Sequence, residues 1–251
     1  MVVHLDESYD YDRTYMVLGA LFCPHHRALH RGILAAKRAA GLVAVGGCVR
    51  ETKYYHVTNA RALGVAKNIV DAFMESAAWF RAVAIEEATL DLDRFGSPSE
   101  PRRIKRARAY KKFAELLIAH NTHDLTNGVL LTDRMTRCRG DEFVERMKDA
   151  FCRAGYGWSA GKVPSRFRHI EEVASHLQEN QCLQLCDLLT GCVINRLVPI
   201  KNTYKNEIAE YVFRRVGIHD VPMPHWWHVS KAACERKYAK FYLWGWRPSK
   251  K

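Results

Sequence analysis

No apolar run in this sequence approaches the roughly 20 residues that a membrane span needs. Asp6 and Glu7 bring acid where a secretory leader would be basic and then apolar, so a cytoplasmic protein is expected. Eight cysteines are present but no Cys-x-x-Cys pair, which argues against a zinc ribbon or a thioredoxin motif. In a reducing compartment they are expected as free thiols, several of them in the core. A Gly-rich phosphate loop and a nucleophile elbow are both missing. So are internal repeats and long linkers, which leaves one large α/β domain as the expectation for 251 residues.

What the chain has in excess is positive charge. Lys+Arg number 39 against 27 Asp+Glu, a formal net charge of +12. Such a balance favours a polyanionic partner, nucleic acid above all.

The first ten residues are a short apolar run that ends abruptly in acid. Read as an alternating strand, Val2, His4 and Asp6 share one face while Val3, Leu5 and Glu7 share the other. Thr14 to Phe22 suits a buried strand hairpinned to the first. A helix is expected from His25 to Ala40, stopped by Gly41, and Gly46-Gly47 is a turn. Cys48 to Val57 has strand propensity and, if extended, places Glu51 and Lys53 on one face.

Asn59 is placed to cap a helix from Ala60 to Ser76, and Trp79 to Ala88 reads as a strand. Glu86, Glu87, Asp91 and Asp93 follow as rival acids. The Pro-rich loop from Gly96 to Pro101 leads into a basic helix that opens with Arg102, Arg103, Lys105 and Arg106, either a solvated face or a phosphate-binding patch.

Asn127-Gly128 opens the short run Val129 to Thr132, which Asp133 ends, repeating the opening pattern of apolar strand and acid. Arg134, Arg137 and Arg139 follow, then a helix from Asp141 to Ala154, a last strand from Phe167 to Ala174 and a helix from Gln181 to Leu197. Beyond Pro199 the chain is basic and aromatic. His225 and His228 sit three apart after Pro222 and Pro224, without a third ligand to make a metal site.

Asp187 stands among apolar and small residues of the late helix, where an unpartnered carboxylate is costly. Asp6, Asp133 and Asp187 therefore form one set, with Glu51 as a plausible fourth. Acids at the carboxyl ends of strands converge on the ligand crevice of an open α/β sheet. Clustered carboxylates repel one another, and Mg²⁺ or Mn²⁺ relieves the repulsion. His176 is a candidate general base or proton shuttle.

Several of these stretches also resemble domain-of-unknown-function family 3800. Val3 to Ser8 followed by Tyr15 to Ala20 is similar to its Asp-Glu-Ser-Gly signature and apolar strand. Glu51-Thr52-Lys53 resembles its Glu-x-Lys motif, and Leu130 to Asp133 its internal strand and acid. Ser175 with Leu183 to Gly191 resembles its Ser…Leu-Gln-x-Ala-Asp-Leu-x-x-Gly helix. Tyr9 replaces the signature glycine and Cys186 the alanine; neither change removes a carboxylate.

The resemblance, which runs from Val2 to about Leu197, implies an α/β, RNase H-like mixed central sheet flanked by helices over residues 1–198; by their composition, residues 199–251 are expected as a basic aromatic C-terminal extension packed on the same domain. It implies a nuclease using two Mg²⁺ or Mn²⁺ ions, with Asp6, Glu51, Asp133 and Asp187 as ligands and Asp6 bridging. Glu7, Ser8, Lys53, Ser175, His176 and Gln184 would support the site or meet substrate, Lys53 through the scissile phosphate. The basic helix from Arg102 to Arg106, with Arg134, Arg137 and Arg139, would guide a DNA, RNA or hybrid backbone. The resemblance also hints at phage defence or mobile-element biology. The alternative is a non-catalytic nucleic-acid-binding or scaffold subunit on the same fold, and a protein or guide-RNA partner is left open.

Overall fold

The computed structural model describes residues 1–122, 125–133, 142–153, 166–218 and 240–246. Val2–Tyr9 forms β1 and Tyr15–Cys23 forms β2, an antiparallel pair in which Asp6 lies opposite Gly19. Asp10 closes the connection: its carboxylate accepts from Tyr15 N at 2.6 Å and its carbonyl from Arg13 N at 3.0 Å. The left-handed residue of this turn is Arg13, at φ 54°. Tyr9 stays in the ladder opposite Met16, so no glycine is required at that position.

Around that hairpin stands a mixed sheet of six strands. Trp79–Glu86 forms β3, antiparallel to β2, while Gly128–Asp133 forms β4, parallel to β1 on its other side. Phe167–Val173 forms β5, parallel to β4, and Phe241–Trp246 forms β6, parallel to β3. The order across the sheet is β5-β4-β1-β2-β3-β6. Phe241–Trp246 thus supplies the last strand, beyond the one expected near Phe167, and the aromatic extension contributes to the sheet itself.

Helices cover both faces, which is why Tyr15–Cys23 reads as a continuous apolar run. On one side Val17, Leu21 and Cys23 pack against α1 (His26–Ala39), α2 (Ala60–Glu75), α5 (Gln181–Leu197) and α6 (Thr203–Arg215). On the other, Met16, Leu18, Ala20 and Phe22 pack against α3 (Arg102–Asn121) and α4 (Phe143–Lys148). The expected helix from Asp141 is shorter, α4 continuing as a π-helical turn over Asp149–Arg153; residues 141 and 154 lie outside the described chain. α6 has no counterpart among the expected elements.

Local signals act where their chemistry places them. Asn59 caps α2 by accepting from Ala62 N at 2.9 Å, and Gly41 follows α1 at φ +69°. The segment from Cys48 to Val57 is not a strand. It holds only an isolated bridge, Val43 to Val49, and a single 3₁₀ turn, Tyr54–His56. Two of its amides, those of Thr52 and Tyr54, are bonded to side chains of α5 instead of to a neighbouring strand, as described below. Among the described residues no helix is long and apolar enough to cross a membrane.

Candidate active site

The parallel ladder between β1 and β4 ends with Leu5 beside Thr132, so the next residues on the two strands are Asp6 and Asp133. Neighbouring residues in register point to the same face, and for Asp6 that is the face covered by α5. Glu7 points the other way, where its Oε2 accepts from Tyr110 O–H of α3 at 3.1 Å. The alternation read from the sequence therefore separates the two acids as expected.

The helix α5 is seated on β1 and β2 by small contacts. Cys186 Sγ donates to the carbonyls of His4 at 3.3 Å and Gly19 at 3.4 Å. A Cβ on Gly19 would stand 2.0 Å from Thr190 Oγ1, so the bare glycine is what lets the helix lie this close. Next to Cys186 on the helix, Asp187 Oδ1 accepts from Tyr54 N at 2.7 Å. Gly191 makes room for the same tyrosine, since a Cβ there would meet Tyr54 Cγ at 2.2 Å.

Gln184 holds the remaining pieces together. Its Oε1 accepts from Lys37 Nζ at 2.7 Å and Thr52 N at 2.9 Å, while its Nε2 donates to Ser175 O at 2.7 Å. Lys37 also donates to Arg50 O at 2.9 Å. The loop that carries Glu51 and Lys53 is thereby tied to α1 and α5. Lys53 Nζ then donates to Asp133 Oδ2 at 2.8 Å and stands 3.7 Å from Glu51 Oε1. Ser175 completes the ring, its amide donating to Asp133 Oδ1 at 3.2 Å and its hydroxyl to Glu51 Oε1 at 3.3 Å.

The electrostatics are those of crowded, partly desolvated acids. Burial pushes the Asp6 carboxyl well up, and the charges of Asp187, Glu7 and Asp133 push it further against the opposing pull of Lys53. Asp6 Oδ1 accepts from Glu7 N at 2.8 Å, but Oδ2 is buried with no hydrogen-bond partner among the described residues. Asp187 is pushed up to about 6, first by burial, with the Tyr54 amide and Lys53 opposing. Burial also brings Lys37 down to about 8, against the pull of Glu51. An orphaned carboxylate oxygen in a cluster that resists ionisation fits a hard divalent cation, for which oxygen ligands are the natural donors. Lys53 meanwhile supplies one positive charge at the Asp133 end.

Asp6, Glu51, Lys53, Asp133, Ser175, Gln184 and Asp187 are thus brought together. Others are not. Ser8 is paired with Val17 in the hairpin, and His176 is exposed beside Ser175. The basic helix α3 lies on the opposite face of the sheet, with Lys105 buried against Asp93, Arg106 paired with Glu87, and Arg102 and Arg103 exposed. Those pairs also occupy two of the rival acids, and Asp91 pairs with Arg94. Arg134, Arg137, Arg139, His225 and His228 lie outside the described residues.

Positive charge reaches the site from another direction. A cavity of about 710 Å³ opens beside Glu51, lined among others by Arg50, Tyr55, His56, Arg61 and Lys205. Tyr55 is 75% exposed, with Lys205 Nζ 5.1 Å from its ring centroid. Of the residues that the sequence reading passed over, Lys37 carried a signal, because it follows Leu29 and Ile33 at four-residue steps on the buried stripe of α1. Thr52 and Tyr54 carried none, since they act through backbone amides. Compared with family models, curated proteins and solved structures, the chain matches none.

Proposed function

We propose that this protein is a Mg²⁺- or Mn²⁺-dependent nuclease on an RNase H-like fold. The observation that carries the reading is the approach of Asp6, Asp133 and Asp187, from β1, β4 and α5, near enough for the charges of Asp187 and Asp133 to raise the buried Asp6 carboxyl, whose Oδ2 has no partner among the described residues; their oxygens do not all lie within 4.8 Å of one another, so bound ions would draw them together. The fold assignment is supported by the antiparallel β1–β2–β3 meander with β4 and β5 added parallel on the other side of β1.

Asp6, Asp133 and Asp187 would hold the ions, with Glu51 at the rim. Two divalent ions bound there supply an activated water and stabilise the leaving oxygen of a phosphodiester. Lys53 neutralises the Asp133 end and offers an ammonium to a phosphate oxygen. Gln184 and Ser175 position the Glu51–Lys53 loop. Arg50, Arg61 and Lys205 along the cavity draw in a polyanionic backbone, and exposed Tyr55 offers a face for an unpaired base. DNA, RNA and hybrid substrates all meet these requirements.

The test is cleavage of single-stranded DNA, duplex DNA, RNA and hybrid in Mn²⁺, beside thermal melts with and without the ion. Cleavage in Mn²⁺, with an ion-induced rise in melting temperature that Asp187→Asn loses, supports the nuclease. One observation favours a second reading, a nucleic-acid-binding subunit that cuts nothing: Lys53, at 2.8 Å from Asp133 and 3.7 Å from Glu51, already places a cation among the acids. Nucleic-acid affinity without cleavage or any response to metal selects that reading.

A further inference from the structure

We infer a second metal site, built for a soft ion of the zinc class, at His4, Cys23 and Cys182. Among the described residues these three form the one group of His, Cys, Asp and Glu side chains whose ligand atoms lie within 4.8 Å of one another. They come from β1, β2 and α5, and each is fully buried. A tetrahedral site with Zn–S bonds of about 2.3 Å sets its sulfurs about 3.8 Å apart, so the observed spacing needs only a small contraction to close on an ion.

Two features separate this cluster from an ordinary patch of core. First, both ring nitrogens of His4 are buried with no hydrogen-bond partner among the described residues, although a buried imidazole loses free energy for each polar atom left unpaired. A metal bond on one nitrogen answers that deficit. Second, the charges balance. One Zn²⁺ with two thiolates and a neutral imidazole carries no net charge, so it suits the apolar layer between the sheet and α5 in which Cys23 and Cys182 lie. Binding releases the two thiol protons to solvent, and the hydrogen bond between Cys23 and Cys182 gives way to two sulfur–metal bonds.

The donor set also separates this site from the carboxylates. Sulfur and imidazole select zinc, while Mg²⁺ and Mn²⁺ take oxygen. The fourth position falls to a water or to His26, whose ring stacks on His4 at 5.2 Å between centroids and whose Nε2 is buried without a partner among the described residues. An ion here would pin α5 to β1 and β2, the elements that carry Asp187 and Asp6. The site stands whether or not those acids cut nucleic acid.

The full chain, purified from zinc-supplemented cells, should retain about one zinc per molecule through dialysis. Reconstituted with Co²⁺ it should show a thiolate-to-cobalt charge-transfer band that zinc displaces. The band should vanish in Cys182→Ser and persist in Asp6→Asn, Asp187→Asn and Cys48→Ser, the last removing an exposed thiol. A wild type without the band, a band that survives Cys23→Ser/Cys182→Ser, or a mass two hydrogens low from a Cys23–Cys182 disulfide in the purified protein would each overturn the inference. Should a cysteine variant fail to fold, the wild-type band and its loss on adding zinc decide the question alone.

Discussion

Lys53 Nζ lies 2.8 Å from Asp133 Oδ2, joining a loop after α1 to the end of a strand 80 residues later. The ammonium belongs to a segment with no strand partner, so its position depends on how that segment is held. Lys53→Met should leave Asp133 and Glu51 without their shared cation and lower Mn²⁺-supported cleavage by on the order of 10²-fold. Lys53→Arg should recover part of that loss. Rates of the two variants on one substrate check this.

Gln184 bonds three separate segments through one amide, and its loss should be structural before it is catalytic. Gln184→Leu leaves the Lys37 ammonium with one acceptor and strips partners from Thr52 N and Ser175 O. A loss of about 1–3 kcal/mol is expected for each buried polar group left unsatisfied. Gln184→Glu keeps acceptors for Lys37 and Thr52 and should cost less. Denaturant melts of both variants give the comparison.

The pH dependence follows from Asp187. Its folded carboxyl is raised to about 6 from an ordinary 3.8, so between those values the folded state holds more proton than the unfolded one. Stability contributed by this group therefore falls as pH rises through that window. Asp187→Asn removes the ionisation, and its stability relative to wild type should climb across the same interval when no divalent ion is present. Added Mn²⁺ should reverse the ranking above about pH 6, because only the carboxylate gains from the cation. Thermal melts over a pH series, with chelator and with Mn²⁺, test both halves.

Strands β1 and β4 and the helix α5 could be read from the sequence because each is a local pattern: two apolar runs that end in acid, and an apolar helix interrupted by one carboxylate. The hairpin turn and the Asn59 cap were equally local. The Cys48 to Val57 segment departs from the expected strand for the opposite reason. Its Thr52 and Tyr54 amides bond side chains 132 and 133 residues away, and no window of sequence contains that information. β6 was hidden similarly, because Phe241 to Trp246 becomes a strand by pairing with β3 across the chain. On the basic helix the charge pattern does not tell which residues are paired: Lys105, Arg106 and Arg108 meet Asp93, Glu87 and Glu100, which lie elsewhere in the chain, while Arg102 and Arg103 are exposed.

Gly19 sets the distance between sheet and helix. Gly19→Ala would drive a methyl group into Thr190 Oγ1 and the Phe80 ring, at 2.0 and 2.8 Å. A destabilisation of about 1–3 kcal/mol is expected from such overpacking, with loss of activity as α5 and Asp187 move off Asp6. Thr190→Ala in the same chain should restore part of the stability. Melting temperatures of the single and double variants measure the relief.

Asp6 and Glu7 are neighbours in the chain on opposite faces of the sheet, one under α5 and the other bonded to Tyr110 of α3. The most direct measurement is the Mn²⁺-supported cleavage rate of Asp6→Asn beside that of Glu7→Gln, both confirmed folded. The account predicts a fall on the order of 10³-fold for Asp6→Asn, and near wild-type activity for Glu7→Gln, which keeps an acceptor for the tyrosine. Full activity in Asp6→Asn, or loss confined to Glu7→Gln, would contradict it.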